Sequence, residues 1–188
     1  MVPMFRKGVG MERGDPQQQP HSIWLHPTED VAESLRGDIG RVCKLSGGPL
    51  FEPHVTLLGD LSGPPEKTQF ACESVFRQTN AIRVKAIGLA STNRFFMSLF
   101  LELDMPAALY AARADIAERL SVQPPPFRPH ISLAYGYDAQ AAPAGILDEL
   151  NAKNVGRAFC LSAISVVASA STIAIEKWKI MSSQSFSV

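Results

Sequence analysis

Two seven-residue segments of this chain have almost the same sequence, and their likeness limits the folds that the chain can adopt. Residues 51–57 and 127–133 both follow the pattern F-x-P-H-[VI]-[ST]-L. Each segment follows a break that contains glycine or proline, and its apolar ending is typical of a strand. A repeat of this kind indicates a duplicated structural unit, so we expect two similar lobes that each carry one copy.

Within each copy, a histidine and a hydroxyl residue stand two positions apart. Side chains at positions i and i+2 of a strand point to the same face, about 6.6 Å apart along the strand. His54 and Thr56 therefore share one face, as do His130 and Ser132. If the two lobes pack about a pseudo-twofold axis, two imidazoles and two hydroxyls line one cleft.

This set of side chains suits phosphoryl chemistry, because hydroxyls donate hydrogen bonds to phosphate oxygens. A neutral histidine takes a proton from water and a protonated one gives a proton to the leaving oxygen, each typically contributing ~10²- to 10⁴-fold in rate. We therefore predict His54 and His130 as the paired acid–base catalysts, and Thr56 and Ser132 as phosphate-binding residues. The pattern leaves open which histidine is the base.

A structural role is the alternative for any single histidine on a strand. A duplicated apolar strand, however, has no packing need for a histidine and a hydroxyl on one face, so the repeat favours catalysis by His54 and His130. The other two histidines, His21 and His26, lie outside the repeat. We predict both as surface residues with a structural role.

The periodicity of the rest of the chain predicts an α+β fold. Residues 1–20 are rich in glycine, glutamine and proline and indicate a flexible tail, whereas residues 21–188 form a single predicted domain. Strand-like and helix-like runs are mixed, and a turn-prone segment joins two strands in an antiparallel hairpin. Strands are predicted at 22–25, 50–58, 82–90, 95–103, 127–135, 158–168 and 173–186, and helices between 28 and 47 and at 65–78, 106–120 and 138–151.

Composition disfavours several classes of partner and compartment. The 188 residues are 46% hydrophobic and 19% charged, which is typical of a globular protein. The formal net charge of +0 disfavours binding to long nucleic-acid duplexes. No run approaches the ~20 apolar residues of a membrane span, and the odd cysteine count indicates free thiols at Cys43, Cys72 and Cys160. We therefore expect a cytoplasmic protein.

Together these motifs resemble a known family, the two-histidine (2H) phosphoesterases, which carry paired H-x-[ST] motifs. Within it the chain is most similar to the cyclic phosphodiesterases of plants and yeast, over roughly residues 21–188. Two motifs in matching frames, with the same order of flanking elements, make the resemblance specific. The residues that carry it are Ser22 to Trp24, Phe51 to Thr56, Ser91 to Phe96, Pro129 to Gly136 and Glu176 to Trp178.

The resemblance implies a bilobal duplicated fold, with two small antiparallel sheets and outer helices around a central cleft. It implies hydrolysis of cyclic phosphates without a metal or another cofactor. The expected substrates are nucleoside 2',3'-cyclic phosphates, opened to 2'-phosphates, and ADP-ribose 1'',2''-cyclic phosphate, opened to the 1''-phosphate, each bound by a monomer. The residues that match the family motif one by one are His54, Thr56, His130 and Ser132.

Two aromatic residues are further candidates for contact with the base or ribose of a substrate. Tyr135 lies five residues after the second motif histidine, and Trp24 is in the first strand. Core packing is the alternative for each. The chain departs from the plant pattern in its N-terminal tail and in cysteines that do not suggest the plant-type disulfides, which leaves the choice of substrate open.

Three other functions compete with this interpretation. RNA 2',3'-cyclic phosphodiesterases with 2'-5' RNA ligase activity need a basic track, to which Arg83, Lys85, Arg94 and Arg128 contribute, but the neutral balance disfavours it. A non-catalytic nucleotide-binding module would keep the cleft and lose turnover. A metalloenzyme with the motif histidines as ligands has no support from H-x-x-x-H or H-E-x-x-H spacing.

Overall fold

The computed structural model describes residues 19–187, which form seven strands and four α-helices. The strands are β1 (His21–Pro27), β2 (Val55–Leu61), β3 (Ile82–Ser91), β4 (Leu99–Asp104), β5 (His130–Ala134), β6 (Ala158–Ala168) and β7 (Lys179–Ser185). The helices are α1 (Glu29–Ser46), α2 (Pro65–Phe76), α3 (Ala107–Leu120) and α4 (Ile146–Asn154). The α+β prediction is confirmed. The predicted tail lies outside the described residues, except for Gln19 and Pro20.

All seven strands belong to one antiparallel sheet, in the order β2-β1-β6-β3-β4-β5 with β7 paired to β6. The resemblance implied two small sheets, and the long strand β6 explains why the two halves are continuous. One edge of this 11-residue strand pairs with β1. Its other edge pairs with β3 at residues 158–161 and with β7 at residues 163–168. Both lobes therefore share β6.

The sheet curls, so β2 and β5 contact each other although they lie at opposite ends of the pairing order. Arg113 of α3 holds these two edges together. Its Nε donates to the Leu57 carbonyl of β2 at 2.9 Å, and its Nη2 donates to the Pro125 carbonyl before β5 at 2.8 Å. Its guanidinium also lies 4.7 Å from the centroid of the Phe127 ring. The two copies of the repeat thereby face each other.

Helix α1 packs on the sheet with the apolar face that its sequence spacing predicts. Each large aliphatic side chain of that face contributes roughly 1.5–3 kcal/mol on full burial. The buried apolar residues at this spacing are Val31, Leu35, Ile39 and Val42. The helix ends where predicted, at Gly47, whose left-handed backbone (φ 71°) carries no Cβ penalty.

The two repeat strands begin several residues later than predicted, at Val55 and His130. Pro53 and Pro129 explain this difference, because proline has no backbone N–H to donate to the ladder of a sheet. Consequently His54 lies just before β2, and the second motif histidine is the first residue of β5. Both histidines are thus held at the start of a strand.

Three 3₁₀ helices in the described range explain why β4, β7 and α4 begin later than the sequence predicted. Phe95–Met97 and Ile175–Lys177 each form one, so β4 and β7 begin later than predicted. The helix predicted at 138–151 is displaced as well, because Ala139–Ala141 forms the third and α4 begins only after Gly145, at φ 84°. Within residues 19–187, no helix has the length and apolar character needed to cross a membrane.

Candidate active site

A cleft of about 750 Å³ lies between the two copies of the repeat. All six residues predicted to act on a substrate line it, and they are His54, Thr56, His130, Ser132, Tyr135 and Trp24. The strand alternation explains this placement. Val55 and Ile131, which separate each histidine from its hydroxyl residue, are 0% exposed and belong to the hydrophobic core.

A backbone carbonyl holds each motif histidine in the same way. Nδ1 of His54 lies 2.6 Å from the carbonyl oxygen of Glu52, and Nδ1 of His130 lies 2.7 Å from that of Arg128. Because a carbonyl can only accept, Nδ1 carries the proton in both neutral rings. Nε2 is therefore the nitrogen that takes or gives a proton, and the i to i−2 contact is identical in the two copies.

His54 is the more deeply buried of the two motif histidines. Its side chain is 6% exposed, and its ring stacks on Trp24 with centroids 3.5 Å apart and planes 7° apart. The pKa of His54 is lowered from 6.5 to about 3, mainly by burial. The hydrogen bond to the Glu52 carbonyl acts against burial, whereas the charges of His26 and His130 act with it. His54 is therefore neutral at neutral pH, which is the state of a general base.

His130 is only half-buried and has charged neighbours. Burial is the main cause that lowers its pKa below 6.5; the hydrogen bond to the Arg128 carbonyl raises the pKa, and the charge of the Arg128 guanidinium lowers it. The Glu102 carboxylate, opposite His130 in the β4–β5 register, raises the pKa. A protonated imidazole thus has a carboxylate partner at His130, whereas no carboxylate of the described residues shifts the pKa of His54.

The two hydroxyl residues, Thr56 and Ser132, differ in the hydrogen bonds that they form. Among the described residues, the Thr56 hydroxyl has no hydrogen-bond partner, and its side chain is half-buried at the cleft. Ser132 is 5% exposed, and its Oγ donates to the Phe96 carbonyl at 3.2 Å. The Thr56 hydroxyl is therefore available to a ligand in the cleft, whereas the Ser132 hydroxyl already donates to that carbonyl.

The structure packs the two aromatic candidates more tightly than a base-stacking role requires. Tyr135 is 4% exposed, and Phe51 stacks on its ring with centroids 3.9 Å apart. Burial raises the pKa of the Tyr135 hydroxyl, and a hydrogen bond with Ser132 offsets part of the rise. Trp24 is also 4% exposed, with one face covered by His54. These contacts favour positioning of Ser132 and His54, and direct contact with substrate stays a prediction.

Sequence reasoning assigned no role to two aromatic residues that complete this wall of the cleft. Trp178 lies edge-on to Trp24, with centroids 5.4 Å apart, and also to His54, at 6.4 Å. Phe96 packs beside Trp178 at 5.9 Å. Both residues lie in segments that carried the family resemblance, so the signal was present without a function attached.

The residue two positions before each motif histidine forms an ion pair. Arg128 donates to Oε1 of Glu102 from Nε at 2.9 Å and from Nη2 at 2.6 Å. Glu52, at the matching position of the first copy, accepts from Arg36 at 2.8 Å. Each pair is formed by the side chain of the residue whose backbone carbonyl holds a motif histidine. Within residues 19–187, no group of three or more His, Cys, Asp or Glu side chains is arranged to hold a metal.

The prediction that His21 and His26 are surface residues was wrong for His21 and only partly right for His26. His21 is 0% exposed, with Nε2 and the Thr68 hydroxyl 2.8 Å apart. His26 is half-buried, and its buried Nε2 has no partner among the described residues. The reason is that β1 is an interior strand between β2 and β6. Neither residue lines the cleft.

Gly136→Ala is expected to lower the free energy of unfolding. Gly136 has a left-handed backbone (φ 63°), and an added Cβ would lie 2.7 Å from the Phe95 ring. The left-handed conformation alone costs roughly 1–2 kcal/mol for a residue with a Cβ, and the ring must move as well. Urea unfolding measures the change. Gly37→Ala in α1 is the control, since its Cβ meets nothing within 4 Å and alanine favours a helix. An unchanged midpoint for Gly136→Ala contradicts this packing.

The fold and the paired H-x-[ST] motifs agree with a comparison against protein families. The family described as the 2'-5' RNA ligase superfamily matches residues 26–171. The chain belongs to the 2'-5' RNA ligase superfamily. This superfamily comprises 2H phosphoesterases, so the resemblance seen in the sequence is confirmed at that level. Comparison with curated protein sequences gives no match.

Solved structures of similar proteins agree with this membership. Escherichia coli LigT in complex with 3'-AMP is 14% identical, with a TM-score of 0.60 over 90% of this chain and 99% of LigT. The protein TT0787 of Thermus thermophilus is 18% identical, with a TM-score of 0.60 over 89% of this chain and 97% of that protein. A structure described as a phosphoesterase is 16% identical, with a TM-score of 0.58 over 93% of this chain and 100% of its own. At these identities the likeness establishes the fold.

Proposed function

We propose that this superfamily member opens cyclic phosphates by acid–base catalysis with His54 and His130, without a metal ion. Its substrates are nucleoside 2',3'-cyclic phosphates, opened to 2'-phosphates, and ADP-ribose 1'',2''-cyclic phosphate, opened to the 1''-phosphate. One observation carries the proposal. Both histidines line one cleft, and a backbone carbonyl holds each in the tautomer that leaves Nε2 for proton transfer.

The surroundings of the two rings favour His54 as the base and His130 as the acid. The pKa of His54, about 3, keeps its ring neutral, so Nε2 can accept a proton. Glu102 and the Arg128 carbonyl raise the pKa of His130 against the effects of burial and of the Arg128 charge. The negative charge of a bound phosphate acts in the same direction as Glu102, because a nearby anion favours the protonated ring.

The proposed reaction is one in-line displacement. Nε2 of His54 takes a proton from a water molecule, and the water oxygen attacks phosphorus. As the new P–O bond forms, the bond from phosphorus to the 3' oxygen breaks, and Nε2 of His130 gives its proton to that oxygen. Thr56 and Ser132 donate hydrogen bonds to the non-bridging oxygens. The 2'-phosphate leaves, and the histidines exchange protons with solvent.

The ligands of a structural relative support nucleotides as the substrate class. Escherichia coli LigT has been crystallised with 3'-AMP, with ATP and with NADP+. These three ligands share a phosphorylated ribose attached to a base. A cleft of about 750 Å³ has room for such a group in this chain.

The pH dependence of kcat/KM tests the assignment of acid and base. Because kcat/KM reports the groups of the free enzyme, we expect a bell-shaped profile with its maximum below pH 6.5. The acid limb falls only as pH approaches the lowered pKa of His54, about 3. The alkaline limb falls through the pKa of His130, which lies below 6.5. A rate that rises with pH to a plateau contradicts the paired mechanism.

Glu102→Gln identifies which histidine sets the alkaline limb. The substitution removes the carboxylate that raises the pKa of His130 and leaves the Arg128 charge uncompensated. We therefore expect the alkaline limb to move to lower pH, with the acid limb in place. The control is Glu73→Gln, on the exposed side of α2. If the alkaline limb does not move, His130 is not the acid.

An enzyme acting on RNA ends is the second candidate, and the match to the 2'-5' RNA ligase superfamily favours it. Against it stands the pairing of Arg128 with Glu102, which removes one cation from a basic track. An RNA-end enzyme should process oligonucleotide 2',3'-cyclic phosphates with a much higher kcat/KM than mononucleotides. A non-catalytic nucleotide-binding module should bind both without turnover.

A further inference from the structure

A second pocket, of about 640 Å³, adjoins the catalytic cleft. Phe96 and Ser171 line both cavities and therefore form the boundary between them. The rest of the second pocket comes from the turn after α1, from Phe95 and from the segment 172–176. Its size is within the range of sites for small molecules, roughly 300–1,000 Å³, and the proposed reaction uses none of the residues found only there.

Phe95 gives this pocket a fixed aromatic surface. Its side chain is 52% exposed, although its backbone carbonyl accepts from the Gly136 N–H at 2.9 Å. The ring lies against the place where Gly136 has no Cβ, edge-on to Phe96 at 4.9 Å and nearly parallel to Tyr135 at 6.3 Å. A half-exposed ring that is held on several sides offers one face to a planar base.

The charges at the boundary between the catalytic cleft and the second pocket suit a phosphate in the cleft and an uncharged group in the pocket. Among residues 19–187, Glu176 is the only charged residue that lines the second pocket. Arg94 lines the catalytic cleft and directly precedes Phe95, and within residues 19–187 it has no ion-pair partner. A phosphate that passes from the cleft towards the pocket therefore meets a guanidinium, and a neutral base beyond it meets the aromatic ring.

We propose that the second pocket binds the distal nucleoside of a two-part substrate. In such a substrate, a phosphate bridge links that nucleoside to the ribose whose cyclic phosphate lies at the two histidines. The inference rests on the proposed function, because the cleft must hold the cyclic phosphate. ADP-ribose 1'',2''-cyclic phosphate and dinucleoside 2',3'-cyclic phosphates share this chemistry.

The test is the kcat/KM of each two-part substrate divided by that of a cyclic mononucleotide. We expect a ratio of about 10 or more for at least one of them, since a stacked base typically contributes tenfold or more. The substrate that gives it identifies the source. Phe95→Ala removes the ring and Ala174→Trp fills the pocket, so each should lower that ratio about tenfold. Phe70→Ala, which removes a 66% exposed ring from α2, should leave it unchanged.

Ratios near one for both substrates, or the same ratio in Phe95→Ala and in the wild type, overturn the inference while leaving the proposed function intact. If no cyclic phosphate is hydrolysed, the proposed function fails, and calorimetry decides the pocket separately. The probes are ADP-ribose and ribose 5-phosphate. If the wild type binds ADP-ribose more tightly than ribose 5-phosphate and Phe95→Ala lowers that preference about tenfold, the inference is supported. An equal preference in the wild type and in Phe95→Ala overturns the inference.

Discussion

Replacing His54 or His130 by alanine is expected to lower kcat for cyclic phosphate hydrolysis by about 10²- to 10⁴-fold. Each substitution removes one of the two proton-transfer groups, and no other histidine among the described residues lines the cleft. Because the two groups act in one step, the double variant should lose little more than either single variant. Initial rates with a 2',3'-cyclic mononucleotide measure the effect.

His26→Gln is the matched control for these variants. His26 is half-buried and close enough to His54 to act on its pKa, but it does not line the cleft. Its kcat should stay within a few-fold of the wild type. Circular dichroism shows whether each variant remains folded, and His130 is the safer site because it is less buried than His54. Near-normal turnover in either alanine variant would contradict the mechanism.

The second large effect is on stability in acid. The pKa of His54 is about 3 in the folded protein and 6.5 when it is unperturbed, so the unfolded chain takes up this proton first as pH falls. The stability due to the neutral His54 is therefore complete above pH 6.5 and is lost between pH 6.5 and about 3. Each pH unit in that window costs about 1.4 kcal/mol, or a few kcal/mol in all.

Urea unfolding at pH 7.5 and at pH 4.5 measures this loss, with His54→Gln for comparison. The wild type should lose more free energy of unfolding between the two pH values than the variant, which has no imidazole to titrate. The lowered pKa values of His26 and His130 add to the loss in both proteins and cancel in the comparison. Equal losses in the wild type and His54→Gln would show that His54 is not held neutral.

The residues that line the cleft could be predicted from the sequence, because strand alternation and the duplicated motif determine where they lie. Strand alternation places His54 with Thr56 and His130 with Ser132, and the duplication brings the two pairs together. The later start of both strands follows from prolines that were visible in the sequence. The apolar pattern of Phe51 and its neighbours predicts a strand there, but Pro53 has no N–H to donate to the ladder.

The features of the fold and of the site that could not be predicted depend on contacts between segments that are distant in the chain. The Glu102 carboxylate reaches Arg128 and His130 only because β4 and β5 pair in one register. His21 is buried only because β1 is an interior strand. The sharing of β6 between the lobes likewise depends on which strands pair with it. The apolar pattern of β6 predicts a strand, but it does not show that β1 pairs with one edge and β3 with the other.

Hydrolysis of a 2',3'-cyclic mononucleotide in excess chelator, followed by phosphorus NMR, tests the central claim most directly. The proposed reaction predicts conversion to the 2'-phosphate at a rate that the chelator does not change, because histidines transfer both protons. ADP-ribose 1'',2''-cyclic phosphate should be tested in the same assay and is predicted to give the 1''-phosphate. Failure to open either substrate, or turnover that appears only after a divalent metal is added, would contradict acid–base catalysis by His54 and His130.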